Sequence, residues 1–101
     1  MKVAPWIFIA LAAPVLVLAV LLRLRRDTWG RERRYVDLWS ITHFASGSLG
    51  FLLGLGLPLV LVLAIAWELF ELAVGVYEYP TNRVIDVALA VAGWLLAHAL
   101  I

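Results

Sequence analysis

The sequence contains no cysteine and few charged residues, and both absences exclude whole classes of protein. Without cysteine, neither disulfide bonds nor thiol chemistry is available to the chain. Charged residues make up 15% of the 101 residues and hydrophobic residues 65%. Soluble domains carry about 25% charged residues and about 45–50% apolar ones. A soluble fold of this size cannot bury so much apolar surface, and we therefore expect lipid to be the solvent for most of the chain.

Four long apolar stretches follow one another along the chain, at 3–22, 38–57, 58–77 and 84–101. A helix needs about 20 residues to cross about 30 Å of hydrocarbon, and each stretch is close to that length. The alternation of apolar and polar residues that marks membrane strands is absent. Backbone groups in lipid must also pair within their own segment. The pattern predicts an all-α membrane protein, a single domain in which four transmembrane helices form a compact bundle.

The net charge of +1 is uninformative, but the positions of the arginines are not. Six arginines lie in the connection 23–36, whereas the connection between the second and third stretches has no charge. The positive-inside rule makes 23–36 a basic cytoplasmic loop. It predicts a multi-pass protein of the cell (inner) membrane with both termini outside the cytoplasm. Arg31, Arg33 and Arg34 are the candidates for contact with anionic lipid headgroups, and nucleic acid is not needed to explain them.

Ionisable side chains interrupt the last three stretches, although a charge at mid-bilayer costs about 2.5–3.5 kcal/mol. Their positions place them in the cytoplasmic half, and spacings of three and four residues place them on faces rich in small residues. We expect them to point into the bundle and form one polar pocket. Its predicted members are Asp37, His43, Glu68, Glu71, Asn82 and Asp86. The glycines predicted to pack the helices together are Gly47, Gly50, Gly54, Gly75 and Gly93.

The pocket residues are compatible with more than one chemistry. One imidazole among carboxylates suits a divalent cation of the manganese, iron or zinc type. The pair Glu68 and Glu71 nevertheless differs from the Glu-x-x-His pattern of carboxylate-bridged bundles. A proton relay and a lipid headgroup are further readings. Alternatively, the carboxylates hold helices together by pairing with Ser40, Arg83 or His43, and no recognisable catalytic motif accompanies them.

Prolines and glycines mark the predicted ends of the helices. Gly54, Gly56 and Pro58 indicate a tight turn, with Pro58 in the first position of the third helix. The next break precedes the fourth helix, for which Thr81 or Asn82 is the predicted N-cap. The second and third helices are therefore expected to form an antiparallel hairpin.

Three dispersed motifs carry a family resemblance. They are Asp37-x5-His43-Phe44, then Trp67-Glu68-x2-Glu71, then Asn82-x3-Asp86-x6-Gly93. Their order over roughly 37–101 resembles two related groups of small bacterial membrane proteins, the VanZ-like and YjdF-like families. Glu71 stands where the VanZ-like pattern usually has Gln, and Asn82 precedes Asp86 instead of following it. The resemblance implies a multi-pass membrane protein of largely unassigned activity, with VanZ-like members associated with glycopeptide resistance.

Three classes of function remain. In the first, the polar pocket near the cytoplasmic side binds a cation, a proton or a lipid headgroup, with or without an enzymatic step. In the second, the chain is a non-catalytic accessory subunit that packs in a larger membrane complex, for example an energy-transducing one, or in a homo-oligomer. The small size of the chain and bulky residues available to face a partner, such as Trp94, favour that alternative. A transporter or channel is the least favoured, because the outer half offers few polar groups.

Overall fold

A computed structural model describes residues 2–24, 36, 38–76 and 79–101, and this part of the chain is all-helical. Helix α1 spans Pro5–Leu24, α2 Leu38–Leu52, α3 Leu57–Ala73 and α4 Pro80–Leu100. The prediction of an all-α chain with four helices is thus confirmed for the described residues, which contain no strand. The predicted site residues that lie outside them are Asp37, Arg31, Arg33 and Arg34.

The turn between α2 and α3 is longer than the sequence predicted. Helix α2 ends at Leu52 instead of 57, and Gly54 adopts a φ of +82°. Glycine reaches that left-handed conformation without strain. Gly56 is the N-cap of α3, which puts Pro58 in the second helical position and not in the predicted first one. The proline still fits, because the first turn of a helix has no partner for its missing N–H.

Helix α4 begins at Pro80 and not near 84. Tyr79 is its N-cap residue, without a side-chain hydrogen bond. The predicted cap at Thr81 or Asn82 is therefore wrong. The physical reason is that proline has its φ already set for the first helical position, so the helix includes both polar residues.

Helices α2 and α4 run parallel and form the central contact of the fold. Near their starts, the Ser40 hydroxyl donates to Asp86 Oδ1 at 3.1 Å. About two turns further along α2, the Ser48 hydroxyl donates to the Gly93 carbonyl oxygen at 3.0 Å. Helix α3 runs back alongside α4, and the amide of Val3 before α1 bonds the carbonyl of Leu100 at the end of α4.

Two glycines allow α2 and α4 to approach backbone to backbone. A Cβ atom on Gly47 would collide with the carbonyl oxygen of Ala90, and one on Gly93 would collide with the carbonyl oxygen of Phe44. A Cβ on Gly50 would lie 2.9 Å from the Val60 side chain of α3. These three predicted packing glycines do lie in helix contacts, as small residues do where helix backbones meet.

Gly54 and Gly75 do not share that role. Each has a φ of +82° and lies just after a helix, and no described atom lies within 4 Å of a Cβ built on either one. Their assignment to helix packing is corrected: both permit the chain to leave a helix through a left-handed turn residue.

The interior of the described chain is more polar than its surface. Eight polar or charged side chains are buried there, against five apolar ones. The largest fully buried side chains are those of Glu71, Asn82, Asp86 and Ser40. Large apolar side chains instead cover the outside of α1 and α3, for example Leu11 at 69% and Leu69 at 61% exposed. Soluble domains show the opposite preference for their buried residues.

Among the described residues, α4 is the one helix long and apolar enough to cross a membrane, and Pro5–Leu21 is a shorter apolar segment.

Candidate cation site

One buried face of α4 forms one side of the site. Its buried residues recur every three or four positions: Asn82, Asp86, Ala90, Gly93 and Ala97. That spacing keeps them on a single helix face. Because the small residues of this face let α2 come close, Asp86 is brought against the N-terminal half of α2 and is fully buried there.

Three helices bring one side chain each to a common point. His43 of α2 directs Nε2 to within 3.4 Å of Asp86 Oδ2 on α4 and 3.5 Å of Glu68 Oε1 on α3. The candidate ligand atoms of the three residues all lie within 4.8 Å of one another. His43 and Glu68 are 8% and 7% exposed, and Asp86 is 0% exposed. The structure thus brings together three of the six residues predicted for the polar pocket.

The remaining pocket residues lie next to this group but are not part of it. Glu71, one turn after Glu68 on α3, is 1% exposed, and Asn82, one turn before Asp86 on α4, is 0% exposed. Asp37 lies outside the described residues. The five described residues of the predicted pocket are thus all buried, but spacing alone did not separate the three converging side chains from their neighbours.

Arg83 is a member of the site that the sequence analysis had treated only as a potential pairing partner. Its Nη1 donates to Glu68 Oε2 at 3.1 Å and to the Glu68 carbonyl oxygen at 3.2 Å. Its Nη2 donates to the carbonyl oxygen of Val76 at 2.7 Å. Arg83 therefore fixes the carboxylate of Glu68 while bonding the chain that leaves α3. The signal in the sequence was its position one turn before Asp86 on the same helix.

The side chains around the group leave one oxygen of each carboxylate facing His43. Ser40 donates to Oδ1 of Asp86, while Oδ2 faces the imidazole. Arg83 donates to Oε2 of Glu68, while Oε1 faces the imidazole. Each carboxylate is thus oriented by a second residue, an arrangement that is typical of ligands held for a bound cation.

A cavity of about 430 Å³ adjoins the group and contains residues of all four helices in its wall. His43 belongs to both features: it lines the cavity, and its Nε2 faces the two carboxylates. Ala19 of α1 and Ala64 and Trp67 of α3 also lie in its wall, so the cavity extends from His43 to both of these helices.

The opposite end of the α2–α4 contact is aromatic. The indole N–H of Trp94 donates to the Leu55 carbonyl oxygen at 2.8 Å, and its ring meets Phe51 edge to face at 5.4 Å between centroids. The imidazole of His98 stacks on Trp94 at 5.1 Å. Trp94 therefore packs within the chain at a half-buried position, and its contact with a partner stays a prediction.

Comparison of the chain with known protein families, with curated proteins and with solved structures found no match. The resemblance to the VanZ-like and YjdF-like families stays a prediction from three short motifs. What the site does must therefore be inferred from its own geometry and charge.

Proposed function

We propose that the chain is a membrane protein that binds one divalent cation, of the manganese, iron or zinc type, at His43, Glu68 and Asp86. The observation that carries this proposal is the approach of two carboxylate oxygens to one imidazole nitrogen, at 3.4 and 3.5 Å. A single N–H can make one well-aligned hydrogen bond, and charge-assisted bonds of that kind measure about 2.7–2.9 Å. Both separations are longer than that.

The same separations match the spacing of ligands around a cation. Zinc lies about 2.0–2.2 Å from nitrogen and oxygen ligands in tetrahedral sites, which puts neighbouring ligands roughly 3.4 Å apart. Three protein ligands would leave a fourth position open, as in catalytic zinc sites. The mixed nitrogen and oxygen set also suits manganese or iron.

Charge in the interior supports a divalent ion. Glu68 and Asp86 each turn one buried carboxylate oxygen towards His43, and Arg83 donates to the other oxygen of Glu68. Bringing two buried carboxylate oxygens close together is costly unless a positive charge lies near both. A divalent cation would supply that charge to both oxygens, whereas a proton relay, the competing reading, would neutralise the carboxylates by protonation.

The membrane setting is supported by the inverted distribution of side chains. Polar groups occupy the interior of the described chain, and large apolar groups cover its outside. Helices α2 and α3, with 15 and 17 residues, are shorter than about 20 residues. Local thinning of the bilayer and snorkelling of flanking residues accommodate short spans at modest cost.

The topology proposed for this protein has both termini outside the cytoplasm and the arginine-rich connection inside. It predicts that the protein stays in the membrane fraction after alkaline carbonate extraction. It also predicts that an external protease leaves the 23–36 connection intact on whole cells and cleaves it after permeabilisation. Release by carbonate would contradict the membrane assignment, and cleavage on whole cells would contradict the orientation.

One observation favours the accessory-subunit alternative. Helix α3 buries only three of its 17 residues, so it offers a broad apolar face to another membrane helix. Purification alone in mild nonionic detergent separates the alternatives. A self-contained cation-binding protein stays monodisperse, whereas an obligate subunit loses its fold or aggregates without its complex.

Zinc binding to the purified protein tests the cation site. We expect one Zn²⁺ per chain by isothermal titration calorimetry, and His43→Gln to weaken binding by at least about 100-fold, because a ligand is removed outright. His98→Gln is the matched control, since the second histidine lies at the aromatic end, and it should keep wild-type affinity. No stoichiometric binding by the wild type, or equal binding by His43→Gln, would refute the proposal.

A further inference from the structure

The cavity beside the cation site has polar side chains at one end only. Along α2 it runs from Trp39 to Gly50, eleven positions or about 16 Å of helix. Thr42, His43 and Ser46 line the part near the start of α2, whereas Leu55 and Val60 line the other part. Pockets that bind small molecules combine such apolar walls with a few polar groups that fix orientation, and a volume of about 430 Å³ is within their range.

The hydroxyl groups of Thr42 and Ser46, at the polar end of the cavity, are able to accept hydrogen bonds from a ligand. The Thr42 hydroxyl donates to the Trp39 carbonyl oxygen at 2.7 Å, and the Ser46 hydroxyl donates to the Thr42 carbonyl oxygen at 2.7 Å. Each hydroxyl has one proton and two lone pairs. Since both protons are directed to the backbone of α2, the lone pairs remain for a ligand that donates a hydrogen bond.

The charge around His43 restricts the ligand further. Carboxylate oxygens of Glu68 and Asp86 lie 3.5 and 3.4 Å from Nε2 of His43, so an anionic head would meet like charge at the polar end. Neither carboxylate lines the cavity, so an ammonium head could not pair with them directly and would carry its charge into mostly apolar walls, which is costly. A neutral hydroxyl head avoids both costs and can donate to Thr42 or Ser46.

We infer that this cavity binds a single-chain amphiphile with a hydroxyl head, its chain lying along α2 towards Leu55 and Val60. The cavity is lined by residues of α1 and α3, the helices whose exposed apolar side chains face lipid in the proposed membrane setting. The inference deepens the proposed function, on which its membrane setting rests, because the hydroxyl head would lie beside His43, one of the three proposed cation ligands. The hydrogen bond from the ligand hydroxyl to Thr42 or Ser46 does not itself require the cation.

Quenching of tryptophan fluorescence by a brominated long-chain alcohol tests the inference, since Trp39 and Trp67 both line the cavity. The protein is held in nonionic detergent, with a chelator in one series and with zinc in another. We expect saturable quenching by the alcohol in both series. The carboxylate and ammonium analogues of equal chain length should bind about tenfold or more weakly, because each carries a charge into the cavity.

A matched pair of variants distinguishes the cavity from general partition into micelles. Ala64→Leu fills the cavity wall and should weaken alcohol binding by about tenfold or more, because a well-packed space does not accept added methyl groups and a ligand together. Ala66→Leu adds the same groups on an exposed face of α3 and should bind as the wild type does. Circular dichroism and elution volume establish that both variants are folded.

The outcomes separate the two claims. Equal binding by Ala64→Leu and Ala66→Leu, or an analogue that binds as well as the alcohol, would overturn the inference. A wild-type protein that binds zinc but shows no saturable alcohol binding would refute the cavity inference alone. Alcohol binding in a protein that takes no zinc would refute the cation proposal alone.

Discussion

The two histidines of the chain lie at opposite ends of the same α2–α4 contact and have different surroundings. His43 is buried and faces two carboxylates from other helices, whereas His98 is exposed and stacks on Trp94 of its own helix. Both lie in long apolar segments of the sequence. The comparison shows that the role of a polar residue in an apolar helix depends on which side chains the other helices bring against it, and less on its own position in the apolar segment.

The glycine contact between the two ends should be the most sensitive part of the fold. In Gly47→Ala or Gly93→Ala, the new methyl group meets a backbone carbonyl that cannot rotate away, so we expect a loss of at least about 3 kcal/mol in the free energy of unfolding. Gly56→Ala is the control, because its Cβ would meet only Pro58 at 3.7 Å. Unfolding in mixed micelles titrated with SDS measures the difference. A stable Gly93→Ala protein would mean that the two ends are not held together by this contact.

The stability of the polar end of the α2–α4 contact, where His43 lies, should depend on Arg83. Arg83→Met leaves Glu68 buried without its cationic partner and removes the bond to the Val76 carbonyl, which we expect to cost about 3 kcal/mol. The same unfolding titration checks this value. The double variant Arg83→Met with Glu68→Leu should recover part of the loss, since it removes the uncompensated charge as well. If the loss of stability in the double variant equals the sum of the losses in Arg83→Met and Glu68→Leu, the two side chains are not coupled.

The stability of the aromatic end, where Trp94 and His98 lie, should depend less on any single side chain. Trp94→Phe keeps an aromatic ring but removes the hydrogen bond to Leu55, and a loss of about 1 kcal/mol is expected. Trp6→Phe, at an exposed position, is the comparison and should stay within about 0.5 kcal/mol of the wild type. A loss in Trp94→Phe as large as that in Arg83→Met would remove the contrast between the two ends.

The smallest effect is expected at Ser48. Its hydroxyl joins α2 to the Gly93 carbonyl of α4, and such bonds between membrane helices average about 0.6 kcal/mol. Ser48→Ala should lower stability by about that amount. Ser46→Ala, whose hydroxyl bonds only within α2, should be neutral. Equal effects in the two variants would assign no stability to the bond between helices.

The sequence predicted best what depends on the period of a single helix. The buried positions of α4, from Asn82 to Ala97, follow directly from spacings of three and four residues. For the same reason, the buried state of Glu68 and Glu71 on α3 could be anticipated from one apolar segment that contains two carboxylates.

The sequence predicted poorly what depends on turns and on contacts between helices. Gly54 was assigned both to helix packing and to the turn before α3, and only the turn agrees with its positive φ. Arg83 was expected only as one of several pairing partners for the carboxylates, because its contact with Glu68 exists only after α3 and α4 pack. The cavity depends on all four helices at once, and no local pattern indicates it.

The central claim is that His43, Glu68 and Asp86 coordinate one cation, and X-ray absorption spectroscopy of the zinc-loaded protein in detergent tests it most directly. The account predicts one imidazole nitrogen together with carboxylate or water oxygens at about 2.0–2.2 Å. The imidazole contribution should disappear in His43→Gln and persist in His98→Gln. A spectrum that His43→Gln leaves unchanged, or one whose imidazole signal is lost in His98→Gln, would contradict the account.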